Sequence, residues 1–341
     1  MNNDFKNEKG ADKAQNIHDK AVSYEDIGFG TVSPEDKYSS VISIPIGKSG
    51  TDIAEISLNC GGSKCAPINS GYIIIGRPAC GKTALFHGLI LNGCMKYSPN
   101  DLQFWLLDFK CGGASSNYEH ANIPHIKLLS KNNDIGDALC LLTNLTAEIK
   151  RRGDLLNSVG QAFRGTNFSD LSEYNKCVDE HLELGEHMSR IIVMIDEAQD
   201  MFNDKSVDGD VCKIADLISE IAIKGRYVGI HMIMFAQNLC FGQSHLLVKS
   251  FVNHIKGKAS FSVDAICIRE SGFGERFWEL KNEISDLRQG EAYLTNDDVN
   301  IVKCVAAYCP QRDLEKYFAE IRNKYSDFKC ETKIIDKKNP L

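Results

Sequence analysis

The chain has 341 residues, 43% of them hydrophobic and 25% charged, and carries a net charge of −7. No apolar run approaches the ~20 residues that cross a bilayer, so no membrane anchor is expected, and the acidic balance excludes a generally basic surface that coats nucleic acid while leaving room for a local basic channel. Length favours one large α/β domain with additions, and the 13 cysteines, scattered through apolar segments without a C-x-x-C pair, read as reduced, buried thiols.

Residues 1–38 are rich in Asn, Asp, Lys and Glu with little apolar periodicity and read as a flexible or peripheral arm. The start lacks the apolar core of a secretory signal, so a cytoplasmic location is expected. Residues 40–47 and 52–58, separated by a Gly-Lys-Ser-Gly turn, predict a β-hairpin. The run 72–75 (YIII) then breaks at Gly76 and leads through Arg77, Pro78, Ala79 and Cys80 into Gly81-Lys82-Thr83, after which residues 83–96 predict a helix. This strand, glycine loop and helix match G-x-x-x-x-G-K-[ST], whose backbone N–H groups wrap nucleotide phosphates while the lysine meets the β- and γ-phosphates and the hydroxyl meets Mg²⁺.

Residues 102–107 (LQFWLL) predict a buried strand that ends at Asp108, a carboxylate at the strand end where α/β sheets bind ligands. A glycine-rich loop over 109–116 follows, and an apolar element resumes at 123–126. Ile135, Leu139, Leu142, Leu145 and Ile149 recur at helical spacing and predict a long amphipathic helix ending in Lys150-Arg151-Arg152. The most continuous strand, 190–196 (RIIVMID), ends in Asp196-Glu197. A helix marked by Val211, Ile214, Leu217 and Ile221 ends at Lys224-Gly225-Arg226 and is followed by a strand over 229–236 with Gln237 at its end. Strands are further expected over 251–261 and 291–295, helices over 275–282 and 314–325, and a polar tail over 326–341. Strands alternating with helices in this way make a mostly parallel sheet covered on both faces.

Triphosphate hydrolysis needs a phosphate cradle, a metal, a group that orients water and positive charge in the transition state. Residues 76–83 supply the cradle, Thr83 and Asp196 are the Mg²⁺ candidates, Glu197 can polarise the attacking water, and the Gln237 amide can contact both γ-phosphate and water. Asp108 is a secondary cofactor-binding candidate.

The ordered segments GRPACGKT, LLDFKCGG, IPHI, EIKRRGDLL, SEYN, RIIVMIDEAQDMF and KGRYVGIHMIMFAQ resemble the FtsK/SpoIIIE family of motor ATPases over roughly residues 45–296. The resemblance implies a RecA-like P-loop fold within residues 39–325, with the hairpin as an N-terminal extension, and a homo-oligomeric, hexameric ring with ATP and Mg²⁺ at subunit junctions. It also implies an arginine donated in trans, which falls on Arg151, Arg152 or Arg226. The expected function is an ATP-hydrolysing translocase that moves DNA, with Lys110 and Lys249 as candidate backbone contacts and any membrane partner supplied by another chain. The alternatives are a protein-transporting motor resembling those of type VII secretion and a non-catalytic nucleotide-binding recruitment module. Too few residues follow the motor region for a winged-helix DNA-reading module, so sequence-directed pumping is not expected.

Overall fold

Continuous Ile, Val and Met runs can lose water only where both faces of a strand are covered, and three such runs form the centre of the sheet. The computed structural model describes residues 21–30, 38–59, 69–110, 113–130, 135–202, 208–239, 251–297 and 299–335. In chain order these give β1 (Val41–Ser49), β2 (Asp52–Asn59), β3 (Gly71–Ile75), α1 (Lys82–Lys96), β4 (Leu102–Asp108), β5 (Ile126–Ser130), α2 (Ile135–Arg164), α3 (Leu171–Glu180), β6 (Arg190–Asp196), α4 (Asp208–Lys224) and β7 (Ile230–Ala236). There follow β8 (Gly257–Ser260), α5 (Ala265–Glu270), α6 (Glu275–Glu279), α7 (Lys281–Ser285), β9 (Glu291–Thr295), β10 (Ile301–Ala306), α8 (Leu314–Lys324) and β11 (Lys333–Ile335).

One sheet runs in the order β11-β5-β4-β6-β7-β3-β8-β9-β10-β1-β2. It is parallel from β11 to β8 and antiparallel from β9 outward. The period of two divides each central strand between two cores. Ile73, Ile75, Ile191, Val193 and Ile195 join the face packed by α2, α3 and α4, whereas Tyr72, Ile74, Ile192 and Met194 join the face packed by α1 and α8. The fold is thus α/β, with a RecA-like parallel sheet covered on both sides.

The structure departs from the sequence pattern at several points. β1 continues to Ser49 and turns at Gly50-Thr51, so the hairpin connection is shorter than the Gly-Lys-Ser-Gly turn expected. α2 does not end at Lys150-Arg151-Arg152 but runs on to Arg164, because Arg152, Leu156 and Gly160 extend its buried stripe. The strand expected over 251–261 is confined to β8, with helical backbone at Phe251-Val252. The helix expected over 275–282 divides into α6 and α7, and β10 pairs with β9 where no strand was expected. Within the expected N-terminal arm, Tyr24 and Ile27 are buried, and the Tyr24 and Phe29 rings pack against Tyr317 of α8. Within the expected tail, β11 adds a parallel edge strand beside β5 and buries Ile335.

Candidate active site

β3 delivers the chain to Gly76, where a side chain has no room: a Cβ there would sit 2.5 Å from Cys80 Sγ and 2.7 Å from Phe261 Cβ. Arg77, Pro78 and Ala79 form the exposed turn, and Gly81, with φ of 122°, enters α1 against Phe261 and the Gly290 backbone. The loop is braced from behind. Arg77 N–H donates to Ser262 O at 2.9 Å, and Gly290 N–H donates to Cys80 O at 2.8 Å. Nothing in the sequence pattern marks Phe261, Ser262 or Gly290 as supports, since tertiary position alone brings them under the loop. Arg77 itself pairs with Asp264 at the surface, an exposed contact of small energetic weight.

Lys82 is buried, and its ammonium donates to the carbonyls of Gly76 and, at 3.0 Å, Arg77. Thr83 is exposed in the first turn of α1, whose N–H groups have no carbonyl partner within the helix by the geometry of any helix start. Asp108 and Asp196 lie side by side at the ends of β4 and β6. The Asp108 oxygens accept from Lys110 N–H at 2.7 Å and from Ser115 Oγ at 2.8 Å, so this carboxylate shapes its own loop, and its charge bears on Asp196. Burial, then the facing carboxylates of Asp108 and Glu197, push the Asp196 carboxyl up to about 6, and the Lys82 ammonium only partly offsets them. Among the described residues no three acidic, His or Cys side chains are arranged to hold a metal ion by themselves, so a divalent cation here would be carried by the triphosphate, with Asp196, crowded by two further carboxylates and close to Lys82, as the protein carboxylate that suits it.

Glu197 follows Asp196 with φ of 52°, a left-handed backbone uncommon for a non-glycine residue. Its Oε1 accepts from Gln237 Nε2 at 3.1 Å and lies 3.8 Å from Lys110 Nζ. Its Oε2 accepts from Gln199 Nε2 at 2.6 Å. Lys110, expected as a polyanion contact, therefore reaches the carboxylate while its side chain stays 63% exposed; Lys249 lies outside the described residues. Gln199, buried in the turn after β6, lies within the segment RIIVMIDEAQDMF, but the sequence assigns it no role.

The three arginines do not approach this centre. Arg152 is buried and donates to Glu148, to Ser189 O at 2.8 Å and to Val228 O at 3.1 Å, which places it at the opposite, N-terminal ends of β6 and β7. A seven-residue strand separates the two edges by roughly 20 Å, beyond the reach of any side chain. Arg151, half-exposed, makes two 2.7 Å bonds to Glu148. Arg226, half-buried in the turn Gly225–Val228, has no carboxylate ion-pair partner among the described residues. A groove of about 670 Å³ between α2 and α4 also lies on this arginine side, lined by Lys150, Asp154, Glu220 and Lys224 among others. The smaller hollow of about 170 Å³ beside Asp108, Lys110 and Ser115 adjoins the carboxylates.

No helix among the described residues is long and apolar enough to cross a membrane. The type VII secretion system protein EssC of Staphylococcus aureus is 26% identical over 196 residues, 58% of this chain and 12% of that protein. The DNA translocase FtsK of Vibrio parahaemolyticus is 26% identical over 252 residues, 67% of this chain and 24% of that protein, so the chain spans only a fraction of either relative. The fold is shared with the pCW3 conjugation coupling protein TcpA, solved with ATPγS, at a TM-score of 0.61 and 18% identity over 86% of this chain and 76% of that one. Residues 33–240, more than half of the chain, match the FtsK/SpoIIIE family, and the chain belongs to that family as a P-loop ATPase.

Proposed function

We propose that the chain is an ATP-driven translocase motor that acts on DNA as a ring of identical copies, a hexamer as in the family reading, with MgATP at the junctions. The observation that carries this reading is the separation of parts. The phosphate loop, Asp196 and Glu197 meet at one edge of the parallel strands, while the candidate arginines lie at the other, out of reach of their own subunit's nucleotide. In the proposed cycle, the Lys82 ammonium and the first-turn N–H groups of α1 take up phosphate charge. Thr83 and Asp196 would hold Mg²⁺, which supplies positive charge at the β- and γ-phosphates when bound. Glu197 accepts a hydrogen bond from the attacking water, the Gln237 amide orients it, and Arg226 of a neighbouring copy meets the developing charge. Arg152 is too buried, and too engaged with backbone carbonyls, to leave its own subunit.

DNA is favoured as the cargo by the DNA translocase relative, whose match covers 67% of this chain. The fold is shared both with a conjugation coupling protein, at a TM-score of 0.61, and with a type VII secretion ATPase of Thermomonospora curvata, at 0.64, so the fold itself does not choose between the cargoes. A motor that tracks phosphates needs only a few ring-lining cations, so a net charge of −7 is compatible with it. The likeness to EssC supports a second reading, a motor that transports protein. ATPase assays with and without linear DNA separate the two: stimulation that fades with added salt supports the DNA motor, and turnover indifferent to DNA supports the protein motor. Absence of turnover under every condition overturns both in favour of a nucleotide-binding recruitment module.

A further inference from the structure

Glu197 is held from both sides by amides, and one of them has no place in the catalytic scheme above. Gln199 Nε2 donates to Glu197 Oε2 at 2.6 Å, and its Oε1 accepts from the backbone N–H of Gln237 at 3.1 Å. The Gln237 side chain in turn donates to Glu197 Oε1 at 3.1 Å. The orientation of the Gln199 amide is fixed by its surroundings, since a flipped group would set oxygen against carboxylate and NH₂ against N–H. Both functions of the amide are therefore in use, at a residue only 8% exposed. Glu197 also needs outside support, because its φ of 52° persists in a non-glycine residue only where neighbours fix it. Asp200 N–H donating to Glu197 O at 3.0 Å holds the backbone of that turn, and Gln199 holds the side chain.

We infer that Gln199 is a positioning residue for hydrolysis: it clamps the Glu197 carboxylate and ties it to the end of β7, so that the water-polarising oxygen and the Gln237 amide keep a fixed spacing. It touches no substrate and acts through Glu197, so the inference rests on the assignment of Glu197 proposed above. A bidentate clamp needs a donor and an acceptor on one short, planar group. Glutamine has both, methionine fills the same space with neither, and glutamate keeps the acceptor while setting a second carboxylate against the first.

The test compares the full chain with Gln199→Met, Gln199→Glu, Glu197→Gln and the double variant Glu197→Gln/Gln199→Met. Steady-state kcat, MgATP affinity by equilibrium titration and the thermal midpoint are measured for each. Gln199→Met should lower kcat about 10- to 100-fold with MgATP affinity held within about twofold, as expected of a misplaced reacting group. Gln199→Glu should fall at least as far, and as an isostere it carries the test if the methionine variant does not fold. Because Gln199 acts through Glu197, the double variant should be no slower than Glu197→Gln alone. Normal kcat in both Gln199 variants, additive losses in the double variant, or a loss of affinity and thermal midpoint that matches the loss of kcat would each overturn the inference. Normal turnover by Glu197→Gln overturns the assignment of Glu197 and the inference with it, whereas a slow Glu197→Gln beside a normal Gln199→Met overturns the inference alone.

Discussion

The two edges of the same parallel strands handle charge in opposite ways. At the C-terminal edge, Asp108, Asp196 and Glu197 crowd together, and their mutual repulsion adds to burial in raising the Asp196 carboxyl to about 6. At the N-terminal edge the buried charges are satisfied. Arg152 bonds a carboxylate and two carbonyls, and Arg190 bonds Ser39 O and, at 2.7 Å, Ser172 Oγ. Hydrogen bonds hold Asp108 and Glu197 at the first edge but leave Asp196 crowded by both, a repulsion that a cationic ligand relieves, whereas the buried arginines of the second edge are engaged as scaffold. Of the three arginines on the second edge, Arg226 is the one without a carboxylate partner among the described residues, which makes it the candidate for the arginine proposed to act in trans.

The contrast can be broken most sharply at Arg226. Arg226→Ala is expected to lower kcat by about 10³-fold, the effect of losing an arginine from a phosphoryl-transfer transition state, while MgATP affinity holds. Wild-type turnover in this variant would leave the arginine edge without a catalytic role. Glu197→Gln should slow turnover by about 10²-fold while retaining nucleotide, because it keeps shape but loses the proton acceptor. Fast turnover measured in that variant would make Glu197 a structural residue of the turn.

Arg152→Met sharpens the comparison from the scaffold side. It leaves the carbonyls of Ser189 and Val228 without a donor and should cost about 3 kcal/mol in chemical denaturation, with near-normal kcat in the folded fraction. A large fall in kcat without a fall in stability would return Arg152 to the catalytic set. The smallest effect concerns pH. Burial pushes the imidazole of His231, close to Arg190 and Arg226, down to about 3, and burial likewise holds His125 at about 4. A histidine depressed on folding contributes fully above its ordinary value of 6.5 and loses that contribution as pH falls toward the folded value. Each should therefore cost about 2 kcal/mol on going from pH 7 to pH 5. Denaturant titrations of His231→Asn should show a shallower acid loss by that amount, and an unchanged slope would contradict the buried neutral state.

Much of the candidate catalytic edge is legible in the sequence because nucleotide chemistry demands residue types at fixed spacing. Gly76 to Thr83 and the Asp196-Glu197 pair announce themselves, and the Ile-rich runs of β3, β6 and β7 have no other stable place than a covered sheet. The far half of α2 was hidden because its buried stripe is continued by Arg152 and Gly160, which do not read as apolar. β11 was hidden because a three-residue strand with one anchor, Ile335, leaves no alternation to detect. Gln199 and Phe261 take their roles from contacts across the fold, and a lone amide or aromatic carries no spacing signal.

The central claim, that an active site is completed by an arginine from the far edge of another copy, is tested most directly by mixing two variants. Lys82→Ala lacks the phosphate-binding ammonium, Arg226→Ala lacks the arginine, and each alone should be nearly inactive. In a mixed ring, some junctions join an intact loop to an intact Arg226, so activity should reappear on mixing, peak near equal proportions and rise faster than linearly with protein concentration. A mixture no more active than the sum of its parts, with wild-type specific activity flat across concentration, would contradict the claim and make each copy a self-sufficient ATPase.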